Sequence, residues 1–236
     1  SFRAGPQKAR HDGAPFLAQQ RRAREEIEAD KEAFCAAVAR KLLSLYPMLD
    51  GAEVTGHETV WRRMEAGGAA QPHSFVHDNN GRPFARVTAT RGSIAVESGL
   101  SGFTFLKSTR SGWAGYHKDP YTTLPETADR IAATAMEASW LWRDAPADYG
   151  TANAAILDAM LAVFASTYSR SVQDSLYRMA TAALERVPET ERIALRCPNK
   201  HYIPVNLAPF GMENHNQVFV ATDEPHGQIE CVVGRD

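Results

Sequence analysis

The order helix, short break, strands occurs twice in this chain, and it limits the fold more than any single motif does. The first copy runs from Glu32 to Val60, with its break at Tyr46-Pro47-Met48-Leu49-Asp50-Gly51. The second runs from Gln173 to Val205, with its break at Val187-Pro188-Glu189-Thr190. A helix hides its apolar stripe by lying on one face of a sheet. Two copies therefore predict two two-layer units, each a sheet plus helices, in an α+β chain.

The periodicities fill in this frame. Ile27, Phe34, Val38, Leu42 and Leu45 recur at helical spacing from Glu25 onward, and Pro47 and Gly51 stop the helix. A strand is expected over Val54 to Arg63 and another at Ser74-Phe75-Val76. Asp78-Asn79-Asn80-Gly81 is a turn, because Asn-Gly tolerates positive φ. Phe84 to Thr90, the turn Arg91-Gly92-Ser93 and Ile94-Ala95-Val96 complete an expected antiparallel meander. Further strands are expected over 102–108 and 131–143. Two helices follow, Asn153 to Phe164 with Ile156, Met160 and Val163 on one face, and Ser171 to Arg186 with Val172, Leu176, Met179 and Ala183. Strands at Arg192–Cys197, Tyr202–Leu207, Gln217–Ala221 and Gln228–Val233 end the chain. Residues 1–23 read as an ill-ordered lead-in, 24–98 as a first domain and 99–236 as a second.

With 236 residues, 44% of them hydrophobic, the chain can bury a sizeable core. A formal net charge of -2 offers no electrostatic case for nucleic acid or an anionic membrane surface. The basic cluster Arg21-Arg22-Ala23-Arg24 is followed at once by Glu25, Glu26 and Glu28, as on a solvated helix start. No run approaches the roughly 18 apolar residues of a membrane span. Cys35, Cys197 and Cys231 are scattered and form no Cys-x-x-Cys pair, which suits a reducing, cytoplasmic compartment.

Three polar patches could carry chemistry. Ser108 to Arg130 is a long connection rich in Ser, Gly, Thr and Tyr, and loops of that length in compact domains are usually functional. Arg130 closes it, just before an apolar strand. There it can present a planar fork to an anion, or form a surface ion pair with Glu126 or Asp129. Ser171-Val172-Gln173 opens a helix, where Ser169 or Ser171 can cap and the free N–H groups attract an anion; an ordinary cap is the alternative. In Pro198-Asn199-Lys200-His201, Asn199 and His201 share one side if the segment is extended. His201 can relay a proton near neutral pH, or sit as a satisfied histidine in a polar turn. His73 and His77 share a strand face without an evident third metal ligand, and His117, His215 and His226 fall in expected turns. Phosphate-loop, dinucleotide and Gly-x-Ser-x-Gly motifs are absent, so nucleotide cofactors are not implied.

Taken in order, these patches are similar to urate oxidase (uricase). The carriers are Lys107-Ser108-Thr109, Asp119-x-Tyr121-Thr122-Thr123-Leu124, Glu126-Thr127-x-Asp129-Arg130, Ser171-Val172-Gln173 with Tyr177, Pro198-Asn199-Lys200-His201, and Val218-Phe219 before Gly227-x-Ile229. The similarity covers about residues 25–236. It implies the tunnelling fold (T-fold): two domains, each an antiparallel sheet plus a helix pair, in a homotetramer. It also implies oxidation of urate by O2 and water to 5-hydroxyisourate and H2O2 in purine catabolism, with no cofactor and no metal. By this resemblance Arg130 forks onto a urate carbonyl and ring nitrogen. Gln173 pairs with the opposite edge, the Val172 N–H supports a carbonyl, and Trp113 stacks on the ring. Asn199 helps hold oxygen or water over the plane, and His201 belongs to a proton relay.

The chain departs from the family at several points. Trp113 and Tyr116 stand where phenylalanines are usual, and Lys118 replaces an arginine. The family opens with a hairpin carrying a relay lysine. A Thr-Asp segment follows, and its Thr completes the site across a subunit interface. Residues 1–22 match neither, so the first domain is expected to be incomplete. A shortened chain, a misassigned start and a degenerate copy all fit that. The alternative function is a catalytically impaired uricase-like protein that only binds purines or assembles. A pterin-directed relative ranks below both, because such enzymes bring His or Cys clusters that this chain lacks.

Overall fold

The computed structural model of the chain describes residues 30–223 and 225–235. The expected lead-in over 1–23 and the helical pattern before Asp30 lie outside them. Helix α1 spans Lys31–Leu45. Asp30 caps it by accepting from the Ala33 N–H at 2.8 Å, and it ends before Pro47. Cys35, Ala36, Ala39, Leu42 and Leu43 form its buried stripe.

Eight strands follow: β1 Gly51–His57, β2 Trp61–Ala66, β3 Ala69–His77, β4 Arg82–Thr90, β5 Ile94–Lys107, β6 Ala132–Trp142, β7 Thr190–Lys200 and β8 His226–Gly234. Helices α2 (Tyr149–Ser166) and α3 (Val172–Arg186) lie between β6 and β7. Six strands form one antiparallel sheet in the order β1-β4-β5-β6-β7-β8. The α+β expectation holds. Residue 98, where the sequence divides the chain, lies within β5.

Three strand expectations are corrected. Val54 to Arg63 is not one strand, and the first strands are not a simple meander. The chain leaves the sheet after His57, forms the exposed ribbon β2–β3, and returns so that β4 pairs with β1, His57 opposite Phe84. The bonds Glu58 N–H to Pro83 O (2.9 Å) and Asp78 N–H to Val60 O (2.9 Å) close the base of that ribbon. Alternation reports which residues are extended, not which sheet they join. The strands expected at 94–96 and 102–108 are one strand, with a register shift between Leu100 and Phe103. Tyr202–Leu207 and Gln217–Ala221 are not strands; one bridge, Pro204 opposite Phe219, joins them. Pro204 has no N–H to extend a ladder. Asn214 takes over instead, donating to Val205 O and Val218 O and accepting from the Gln217 N–H.

The main core packs Met136, Trp140 and Ile193 of the sheet against Ile156 and Met160 of α2 and Leu176 and Met179 of α3. A smaller core packs Cys35 and Ala39 of α1 on Ala85 and Val87 of β4. By length and composition α2, with 18 residues, could cross a membrane. That exceeds what the sequence reading allowed. In the structure its Ile156 and Met160 are fully buried in the main core.

A buried polar node joins the two cores. Glu32 Oε1 accepts from Ser98 Oγ (2.6 Å) and Asn153 Nδ2 (2.9 Å). Ser98 Oγ accepts from Trp142 Nε1 at 2.7 Å, and Asn153 Oδ1 accepts from Trp140 Nε1 at 2.8 Å.

Candidate active site

The long connection between β5 and β6 is pinned along its length. Thr109 Oγ1 and the Arg110 N–H both donate to Asp129 Oδ1, at 2.8 and 3.0 Å. Trp113 and Thr127 exchange backbone bonds of 2.7 and 2.9 Å, and the Arg130 N–H donates to Ser111 O at 2.8 Å. The same segment is fastened to the link between α2 and α3. Gly112 N–H donates to Ser169 O at 2.9 Å, and Ser169 N–H to Arg110 O at 3.0 Å. Lys107 adds Nζ bonds to Thr167 O (2.7 Å) and Ser169 Oγ (3.2 Å). Burial, with Arg110 and Arg178 nearby, lowers the Lys107 ammonium below its ordinary pKa. The β5–β6 connection and the α2–α3 link, far apart in sequence, are thus fastened together in space.

Arg130 is half-buried, and desolvation pushes its guanidinium below its ordinary pKa. The surface ion pair does not form. Glu126 is held by Lys118 at 2.8 Å and by the Gly115 N–H, and Asp129 is held by Thr109 and Arg110. Arg130 Nε is buried without a hydrogen-bond partner, and Cζ sits 6.0 Å from the centre of the Trp113 ring. A desolvated donor beside an aromatic face suits a flat acceptor.

Ser171 is the cap of α3, accepting from the Asp174 N–H at 3.1 Å. This leaves the first-turn N–H groups of Val172 and Gln173 without intrahelical partners at the positive end of the helix. A cavity of about 30 Å³ lies between this turn and the sheet. Val172 and Asn199 both line it, with Ser111, Ser171 and Cys197. Asn199 points there because β7 stays extended through Lys200, pairing Asn199 with Gly227.

The structure therefore groups Trp113 with Arg130, and Val172 with Asn199. Ser111 lines that cavity and accepts from the Arg130 N–H, joining the two groups. Gln173 is exposed beside Val172. His201 is also exposed, one residue past β7, and is held by its N–H to Pro225 O at 3.1 Å. Among the described residues no side-chain hydrogen bond joins Gln173 or His201 to the other four. Tyr121, prominent in the sequence motif, points to solvent, while Asp119 and Thr122 close a local turn. Sequence reasoning missed Ser111 and Tyr168. Tyr168 Oη donates to Ala128 O at 2.7 Å and ties the loop from the far side. Their partners lie tens of residues away, and neither residue type signals such pairing. No cluster of three or more His, Cys, Asp or Glu positioned for a metal occurs among the described residues.

Comparison with known proteins places the family. A sequence model of the Uricase family matches residues 96–230. The chain is 33% identical to a uricase of Dictyostelium discoideum over 213 residues, covering 90% of this chain and 74% of that protein. It is 34% identical to a uricase of Aspergillus flavus, covering 86% and 72%. The crystal structure of the uricase from Arthrobacter globiformis superposes with a TM-score of 0.86 at 32% identity, covering 93% of this chain and 75% of that one. The fold is the α+β T-fold, antiparallel sheet with helices laid on one side. The chain belongs to the uricase family.

Proposed function

We propose that this chain is a urate oxidase that converts urate, O2 and water to 5-hydroxyisourate and H2O2. The reaction balances without a further redox partner: urate loses two electrons and O2 is reduced to peroxide. Family membership supports the reaction class. The single observation that carries the reading into this chain is Arg130, a half-buried guanidinium with an unpartnered Nε next to an aromatic ring. In this proposal the Arg130 fork binds the carbonyl edge of the urate anion. Trp113 stacks on the purine, and Gln173 with the Val172 N–H holds the opposite edge. Asn199 holds O2 or water, and His201 moves the proton.

We further propose that the reaction needs no cofactor, because ionised urate is itself electron-rich and the protein has only to hold it, remove a proton and place oxygen. A homotetramer completes the proposal. Its support is a sheet open at β1 and β8 and the solvent exposure of Gln173 and His201, which a neighbouring subunit can cover. Three free cysteines support a cytoplasmic location in purine catabolism.

Urate-dependent oxygen uptake by the purified chain tests the reaction. Arg130→Ala should raise KM at least tenfold, because the anion loses a charged fork in a desolvated place. Uptake at the buffer rate, or a near-normal KM in that variant, overturns the reading.

A further inference from the structure

We propose that Tyr116 is a positioning residue for substrate: it backs the Trp113 indole and leaves one face of that ring for the purine. The inference rests on the reading of Trp113 as the stacking residue. The Trp113 and Tyr116 rings lie 5.2 Å apart with an interplanar angle of 19°, an offset stack. An indole has two faces, and this stack covers one.

Tyr116 is itself fixed from three directions. Its hydroxyl donates to Leu124 O. Lys118 Nζ lies 5.6 Å from the ring centre. Glu126 holds Lys118 at 2.8 Å and accepts the Gly115 N–H at 3.2 Å through the same oxygen. Gly115 has φ 69°, a left-handed conformation that a side chain disfavours. That bend accompanies the return of ring 116 against ring 113 from three residues away. The Trp113 backbone is clamped separately by Thr127. An indole fixed at its backbone and backed by a fixed phenol cannot rotate away when a ligand presses on it. Less freedom is then lost on binding.

The test compares Tyr116→Phe with Tyr116→Leu and Tyr116→Met. Phenylalanine keeps the flat face, while leucine and methionine fill space without one. We expect Tyr116→Phe to keep KM within about twofold of the parent. Tyr116→Leu and Tyr116→Met should raise KM for urate, and Kd for a redox-inert purine analogue, by about tenfold, the scale of one aromatic pair. Their kcat should stay within about threefold. The near-UV circular dichroism of the indole should change in the two aliphatic variants and persist in Tyr116→Phe. Unchanged KM in both aliphatic variants overturns the inference. So does a parallel fall in kcat with a lowered Tm, which marks a purely structural role. A parent chain that neither oxidises urate nor binds the analogue overturns the functional reading itself, a different outcome from the first two.

Discussion

Burial acts on Arg130 and Cys197 in different ways. For Arg130 the desolvated guanidinium stays a cation but lacks a protein counter-charge. Arg130→Lys should therefore restore only part of the affinity lost in Arg130→Ala. A point charge replaces the lost charge without the planar fork, and analogue binding reads the difference. His201 is proposed to move a proton rather than to bind. His201→Ala should lower kcat by about a hundredfold and change KM by much less, as steady-state oxygen uptake will show. Cys197, 1% exposed and lining the same cavity as Asn199, has its thiol pushed up to about 11 from an ordinary 9.0 by burial. A thiol raised on folding stabilises the protein fully below pH 9, and that contribution is lost as pH rises toward 11. Urea denaturation across that window should show a fall of roughly 2 kcal/mol attributable to this group. Cys197→Ala should flatten the slope.

At the scale of elements, contacts between layers matter more than the elements' own propensities. Besides its apolar packing on β4, α1 is tied to β5 and α2 by one buried carboxylate, Glu32, whose Oε1 gathers Ser98 and Asn153. Glu32→Ala leaves the Asn153 amide unsatisfied in a buried place and should cost about 3 kcal/mol in a urea melt. Glu32→Gln keeps an acceptor and should cost less. Gly99 of β5 lies directly opposite Phe84 of β4, and a Cβ there would sit 2.3 Å from the Phe84 ring and 2.5 Å from Ala138 O. The carbonyl belongs to the neighbouring strand and cannot step aside. Gly99→Ala should destabilise by about 3 kcal/mol, and the loss should survive trimming Phe84 to Leu.

For the whole molecule, the sheet carries helices on one face among the described residues. Phe105 and Val233 pack inward on the main core, while their neighbours Leu106 and Val232 are exposed on the other face. Side chains alternate along strands, so this apolar face is a consequence of burying the first one. In the proposed tetramer it meets other subunits. Light scattering behind a sizing column should then report four chains of 25.9 kDa. A monomer at working concentrations with full activity would remove the case for shared sites.

Local chemistry wrote the helices into the sequence. α3 follows from the Ser171 cap and the stripe Leu176, Met179, Ala183, and α1 from the spacing of Phe34, Val38 and Leu42 and its stop before Pro47. Such signals act over one or two turns, so they need no knowledge of the rest of the chain. The family pattern was equally legible, because its motif residues lie in short runs. Strand partnership was not. Nothing between Val54 and Arg63 marks the exit into the β2–β3 ribbon. Nothing in Tyr202–Leu207 except Pro204 warns that a ladder fails there. Only the tertiary structure brought Ser111 to Ser169, left Arg130 without an acidic partner and laid Tyr116 on Trp113. Those contacts join residues through space and depend on which surfaces are dry. A linear pattern cannot encode that until the chain has packed.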